Sequence, residues 1–80
     1  MNNDDFEIRR YGKSELAMLY FPDTATKKGA LSNLNFYIDN HRGLRRQLRK
    51  LGFPPSGNSY MPSEVELIVK ALGPPYGKKY

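Results

Sequence analysis

The stretch HRGLRRQLRKLGF, residues 41–53, contains the residues whose types and spacing most clearly indicate chemistry. It carries five basic side chains and no acidic one. Guanidinium and ammonium groups at this density bind phosphates and other anionic groups. The simpler interpretation is a solvated helix face whose long stems cover apolar surface. Both remain open, although a face made only for solubility normally mixes charges of both signs. The basic residues are Arg42, Arg45, Arg46, Arg49 and Lys50.

The positive charge of the chain is concentrated in its middle. From Thr24 to Ser63 there are seven Lys or Arg and one acid, Asp39, a net charge of +6. The other forty residues carry six Lys or Arg and seven acids, a net charge of −1. This segregation favours an anionic partner for the centre of the chain, most often nucleic acid.

No residue constellation for catalysis or metal binding is present in the sequence. There is no cysteine, and the single histidine, His41, cannot build a His-rich metal site. The acid pairs Asp4/Asp5 and Glu64/Glu66 have no partner that would tune a pKa for acid–base work. Phosphate-binding glycine loops and nucleophile motifs are also absent. We therefore expect no enzyme, no catalytic residue, no cofactor and no metal.

The elements that position the basic run must form one small domain, mainly α. Eighty residues without disulfides depend on a compact apolar core. We expect a single domain over residues 1–80, with an ordered core at about 6–75 and flexible tails at 1–5 and 76–80. Core candidates include Leu16, Leu19, Leu31, Leu34, Leu48, Val65, Ile68 and Leu72.

Periodicity predicts about four helices. The first should run from about Glu15 to Tyr20, with Ser14 as its N-cap, and the second from Lys27 to about Asp39 after Thr24 or Thr26. A third, from about Arg42 to Leu51 with Asn40 as a possible cap, would place its basic residues opposite Leu44, Leu48 and Leu51. The last would begin at Pro62 and end at Gly73-Pro74-Pro75.

Two segments between these helices are harder to assign. FEIRRY, residues 6–11, alternates apolar and polar residues and predicts either a short strand or an extended arm on the core. GFPPSGNSY, residues 52–60, predicts a loop or a small irregular hairpin. Tyr20, Phe53 and Tyr60 are expected in the core and not as base-stacking platforms. Phe36 falls outside the apolar stripe of its helix, so it either packs against another element or is an exposed aromatic.

SELAMLY, a turn, and a second amphipathic helix together have the pattern of a helix-turn-helix. Small Ala17 permits a close crossing of the next helix. In such a motif the second helix presents its N-terminal polar residues to the major groove of DNA, where Lys can contact phosphate or guanine and Asn can pair with adenine. Those residues are Thr26, Lys27, Lys28, Ser32 and Asn33.

The segment LGFPPSGNSYMPSEVELIVKAL, residues 51–72, resembles the wing and following helix of MerR and excisionase winged-helix proteins. The resemblance implies a helix-turn-helix with a short wing-like loop or hairpin. It also implies that Ser56, Asn58 and Ser59 at the wing tip contact the sugar-phosphate backbone. The longer turn at residues 21–25 and the additional basic helix depart from that pattern.

The chain as a whole resembles a family of short bacterial proteins known only as a domain of unknown function. Members share the stretch K-S-E-L-A-x-x-Y-F-P, at Lys13 to Pro22 here, and a Leu-x-Gly-aromatic step near residue 51. They also share an x-P-x-x-V helix that ends in Leu-Gly-x-Pro, at residues 72–75. This resemblance supports the fold boundaries and implies no activity.

These observations favour a small DNA-binding protein, with an accessory or regulatory role, whose partner is double-stranded DNA. Lys27, Lys28 and Ser32 would approach the major groove, and the basic helix together with Asn58 would contact the backbone. Because one chain would supply a single recognition helix, high specificity would need a homodimer or a protein partner. An adaptor that binds an acidic protein through the basic face, with an apolar patch at Phe36, Tyr37 and Tyr76, is the alternative, and RNA binding is a weaker one.

The sequence also indicates where the protein resides. Its longest apolar run, residues 16–21, is far shorter than the roughly 18 residues needed to cross a bilayer. The acidic, polar start MNNDDFE lacks the features of a secretory signal. We therefore expect a cytoplasmic protein with no membrane partner.

Overall fold

Four helices and a two-stranded sheet make up the computed structural model, which describes residues 6–54 and 56–75. The mainly helical domain expected from the sequence is confirmed. The tails expected at 1–5 and 76–80 lie outside the described residues, as does Pro55. In chain order the elements are β1 (Tyr11–Gly12), α1 (Lys13–Tyr20), α2 (Lys27–Asn40), α3 (Leu44–Lys50), β2 (Ser59–Tyr60) and α4 (Pro62–Leu72).

Helix α1 begins at Lys13, two residues before the start predicted at about Glu15. Its N-cap is Gly12, so the prediction of Ser14 as the cap is wrong. The Glu15 carboxylate accepts a hydrogen bond from the Gly12 backbone N–H at 3.1 Å. A glutamate three residues after the cap therefore determines the start of the helix.

Helix α2 matches its prediction closely. Thr26 is the N-cap, and its hydroxyl accepts the Gly29 N–H at 2.9 Å. Ala30, Leu34 and Ile38 are fully buried, as their spacing along one helix side requires. The helix continues one residue beyond Asp39.

Helix α3 starts later than predicted, and Asn40 does not cap it. Asn40 is the last residue of α2, where its side-chain amide donates to the Phe36 carbonyl at 2.8 Å. The N-cap of α3 is Gly43, with φ +80°. A glycine is required here because a side chain in this left-handed conformation is strained.

The sheet joins segments that are distant in sequence. Strand β1 pairs antiparallel with β2, so that Tyr11 lies opposite Tyr60 and Gly12 opposite Ser59. FEIRRY has no regular secondary structure at residues 6–10, with a bend at Arg9, and joins the sheet only at its last residue. Among the described residues of the 52–60 segment, Ser59 and Tyr60 alone are in a strand, and their partner is β1 and not a neighbouring hairpin strand.

Arg9 connects the segment at residues 6–10 to helix α1. Its guanidinium lies 3.8 Å from the centroid of the Tyr11 ring and 3.2 Å from the Glu15 carboxylate. The hydrogen bond from the Gly12 backbone, followed by that from Arg9, lowers the pKa of Glu15. Tyr11 in turn stacks on Phe6, with ring centroids 5.2 Å apart.

Helix α4 begins at Pro62, as predicted, and ends at Leu72 before Gly73. The Glu64 carboxylate accepts the Met61 N–H at 2.9 Å, the same device that starts α1. Burial of Val65, Ile68 and Val69 confirms the apolar stripe of this helix. The Tyr20 hydroxyl donates to the Gly73 carbonyl at 2.6 Å and ties the ends of α1 and α4 together.

One cluster of buried apolar side chains lies between the helices and the sheet. Leu16, Leu34, Leu48, Val65 and Ile68 are buried as expected, whereas Leu19, Leu31 and Leu72 are partly buried at its edge. No helix in the described part of the chain has the length and hydropathy that crossing a membrane requires. The buried members of this cluster are Phe6, Tyr11, Leu16, Ala17, Ala30, Leu34, Ile38, Leu44, Leu48, Tyr60, Val65, Ile68 and Val69.

Candidate nucleic-acid interface

The basic run forms a helix of its own, and its cations divide into two groups. Leu44 and Leu48 are buried, which orients the helix. At about 100° per residue, Arg45 and Arg49 lie on one flank, and Arg46 and Lys50 lie about 100° further around the helix. Arg42 precedes the helix in the turn at residues 41–43 and is exposed.

Arg45 is the cation that holds α3 to α2. Its Nε donates to Asp39 Oδ1 at 2.8 Å, and its Nη2 donates to Asn35 Oδ1 at 3.2 Å. Within residues 6–54 and 56–75, the other four basic residues of this run form no ion pair with a carboxylate. All four are exposed. Arg42, Arg46, Arg49 and Lys50 therefore remain accessible to an external anion.

The residues of α2 that were predicted to contact the major groove of DNA lie on different sides of that helix. Lys28 and Ser32 share a flank with Asn35 and Asp39, the flank that contacts Arg45. That flank is therefore continuous with the basic helix. Asn33 lies about 100° around the helix axis from Ser32, in a direction between those of Phe36 and Tyr37.

Lys27, at the start of α2, and Asn58, in the loop before β2, are both exposed. The Asn58 backbone carbonyl accepts the Lys13 N–H at 2.8 Å. This bond extends the pairing of β1 with β2 by one step. As a result, the loop that the winged-helix resemblance assigned to a wing lies beside the start of α1.

A cleft of about 690 Å³ opens between α3, the segment at Gly52–Pro54, β2 and the start of α1. Leu48 and Tyr60 are its buried apolar lining, and Phe53 is at its edge with 37% of the residue exposed. Burial raises the pKa of the Tyr60 hydroxyl above its usual value. The charged residues that line the cleft are Lys13, Asp39, Arg45, Arg49 and Glu64.

The sequence indicated Arg45 and Arg49 as anion-binding residues but did not indicate Lys13 or Phe53. Lys13 comes to the cleft because β1 pairs with β2, and its Nζ lies 5.4 Å from the Tyr60 ring centroid. Phe53 was expected in the core. No local pattern could have placed Lys13 in the cleft, since the pairing joins positions almost fifty residues apart, whereas Phe53 follows the basic run directly in sequence.

A second exposed surface is aromatic. Phe36 is 63% exposed and Tyr37 is 51% exposed, although Tyr37 stacks on Phe21 with centroids 5.5 Å apart. Phe36 meets Tyr37 edge to face at 5.8 Å. The position of Phe36 outside the apolar stripe left two alternatives, packing against another element or exposure, and the structure shows the ring exposed. Tyr76, which was expected to belong to this patch, lies outside the described residues.

Comparison with known protein families identifies a family whose model covers most of the chain. A family model described as a domain of unknown function, DUF4248, matches residues 7–75. The chain belongs to the DUF4248 family. The match contains every helix and both strands of the structure. No curated protein and no solved structure matches the chain.

Proposed function

We propose that this DUF4248 domain binds double-stranded DNA, with α2 as the recognition helix and α3 as a contact to the phosphate backbone. The observation that carries the proposal is the set of exposed cations in the basic run that have no carboxylate partner among the described residues. Like charges held together repel one another, and a phosphate backbone relieves that repulsion. Arg42, Arg46, Arg49 and Lys50 form this set.

The packing of α1 against α2 is compatible with a helix-turn-helix. Leu16 and Ala17 of α1 are fully buried, so a small side chain lies where the two helices approach each other. The exposed side chains in the N-terminal half of α2 that would approach the major groove are Lys27, Lys28 and Ser32. In this arrangement Asn58 and its neighbours serve as a wing-like loop at the backbone.

Fluorescence anisotropy with labelled duplex DNA across a salt series tests the proposal. The double variant Arg46→Gln/Arg49→Gln should bind more weakly, and its slope of log affinity against log salt should be smaller by about 1.8, about 0.9 for each lost phosphate contact. Arg10→Gln/Lys70→Gln is the matched control, because it removes the same charge from exposed positions outside the basic run. An equal loss in both double variants, or no binding near 50 mM salt, would contradict the proposal.

An adaptor function is the second candidate, and the exposure of Phe36 and Tyr37 favours it. Aromatic side chains are enriched at the centres of protein interfaces. Capture of one acidic protein partner that is lost in Phe36→Ser, together with absence of DNA binding, would favour the adaptor. RNA binding is the remaining alternative, and competition between duplex DNA and structured RNA distinguishes it from DNA binding.

A further inference from the structure

The cleft beside α3 combines an exposed aromatic ring with cations, and this combination differs from that of a surface that only follows a duplex backbone. The cleft has a volume of about 690 Å³, within the range of about 300–1,000 Å³ that is typical of ligand sites. Leu48 and Tyr60 line it with apolar surface, and Pro54 lies beside Phe53. The cavity is thus suited to a flat, partly apolar group.

The two acids of the cleft already accept hydrogen bonds from the protein. Asp39 accepts from Arg45 at 2.8 Å, and Glu64 accepts from the Met61 N–H at 2.9 Å. Arg49 has no carboxylate partner among the described residues, and the Lys13 ammonium is held at the Tyr60 ring. With three cations and two carboxylates in its lining, the cleft has a formal charge of +1 and favours a ligand with a negative group beside its flat one.

Phe53 supplies the flat surface. Its ring stacks on no other aromatic ring within residues 6–54 and 56–75, and 37% of the residue is exposed. Exposed aromatic side chains next to cations are the usual binding surface for single-stranded nucleic acid, since every base has a π-face. A base inside a duplex is stacked and paired, so it cannot place its face on such a ring.

We propose that this cleft binds an unstacked nucleotide of a single-stranded segment, with the base on Phe53 and the phosphate at Lys13 and Arg49. An acidic peptide would use the cations but would leave the ring of Phe53 without a stacking partner. The inference rests on the proposed function in taking nucleic acid as the partner. It predicts that a junction between duplex and single strand binds better than a blunt duplex.

The experiment compares a blunt duplex with the same duplex carrying a short single-stranded overhang, in DNA and in RNA versions, by anisotropy with the full chain. We expect the overhang to improve the affinity at least about fivefold, the lower end of what stacking one base contributes. Phe53→Ala should abolish this gain and leave blunt-duplex affinity unchanged. Phe36→Ala, which removes an exposed ring of α2, is the matched control and should keep the gain.

A fluorescent base analogue in the overhang gives a readout that does not depend on affinity. Its emission should change when the base leaves its stacked neighbours to lie on Phe53, in the wild type and in Phe36→Ala but not in Phe53→Ala. Lys13→Gln should weaken overhang binding more than Lys70→Gln, which removes the same charge from α4. Thermal unfolding of each variant, followed by circular dichroism, identifies any that fail to fold.

The outcomes separate this inference from the proposed function. Equal affinities for blunt and overhang duplexes would overturn the cleft assignment and leave duplex binding intact. Binding of the overhang without the blunt duplex would uphold the cleft and overturn duplex recognition. Binding of neither would overturn both, and Phe53-dependent binding of a Glu-rich peptide instead would identify the ligand as protein.

Discussion

Arg45 Nε lies 2.8 Å from Asp39 Oδ1, and this ion pair joins the basic helix to the end of α2. Asp39 is the single acid in the basic middle of the chain, from Thr24 to Ser63. The pair therefore neutralises one guanidinium and leaves its neighbours on α3 available. It distinguishes a structural arginine from those proposed to contact phosphate.

Replacing Asp39 should strengthen DNA binding. Asp39→Asn removes a negative charge from the cleft and releases Arg45, so affinity should rise and the salt slope should steepen by up to about 0.9. The free energy of unfolding should fall by no more than about 1 kcal/mol, because the pair is partly exposed. Anisotropy across a salt series and urea unfolding measure the two effects.

Glu66→Gln is the control for this prediction, since Glu66 pairs with Lys70 on α4 at 3.9 Å. It changes the net charge by the same amount away from the basic helix. If Asp39→Asn and Glu66→Gln strengthened binding equally, net charge alone would explain the result and Arg45 would have no local role.

Leu48 and Leu51 should differ sharply in their contribution to stability, although the sequence placed both on one apolar side of the helix. Leu48 is 6% exposed and Leu51 is 37% exposed. Leu48→Ala should lower the free energy of unfolding by about 2–5 kcal/mol, and Leu51→Ala by less than about 1 kcal/mol. Urea unfolding of the two variants measures the difference, and equal losses would show that Leu51 is buried in solution.

Gly52→Ala should destabilise the protein by about 1–2 kcal/mol. Gly52 has φ +85°, which disfavours any side chain, although an added Cβ would meet no atom within 4 Å. The cost is therefore one of backbone conformation and not of packing. Gly52→Asn should cost less, because Asn adopts this conformation more readily; thermal or urea unfolding that ranked Asn below Ala would refute this explanation.

Removing the Tyr20 hydroxyl should lower stability at neutral pH by about 0.5–1.5 kcal/mol, since Tyr20→Phe loses the hydrogen bond to the Gly73 carbonyl. Burial raises the pKa of Tyr20 above its usual value. The folded state therefore holds the phenolic proton more tightly than the unfolded state. This stabilisation is complete below the unfolded pKa of about 10 and is lost as the pH rises above it.

Urea unfolding between about pH 8 and about pH 11 tests this pH dependence. The stability difference between wild type and Tyr20→Phe should shrink above about pH 10, because only the wild type has this group to titrate. Tyr37→Phe controls for the loss of a hydroxyl from a ring that is 51% exposed. A difference that stayed constant over the whole range would contradict the role of Tyr20 burial.

Local residue patterns were sufficient to predict the number and type of the helices. The apolar spacing of α2 and α4 identified both, because one side of an amphipathic helix must be buried. Thr26 and Pro62 marked their starts correctly. The predicted caps at Ser14 and Asn40 were wrong. Helix α1 starts where Glu15 accepts the Gly12 N–H, and Gly43 is the N-cap of α3.

The sequence by itself determined a small, mainly helical domain with an unbalanced positive charge on one short helix. Only the tertiary structure decided which of those cations is neutralised and what lies beside the others. Pairing of Tyr11 with Tyr60 brings Lys13 to the cleft, and the turn after α3 places Phe53 at its edge. Such contacts between distant segments depend on how the helices pack around a shared core, and no local spacing encodes them.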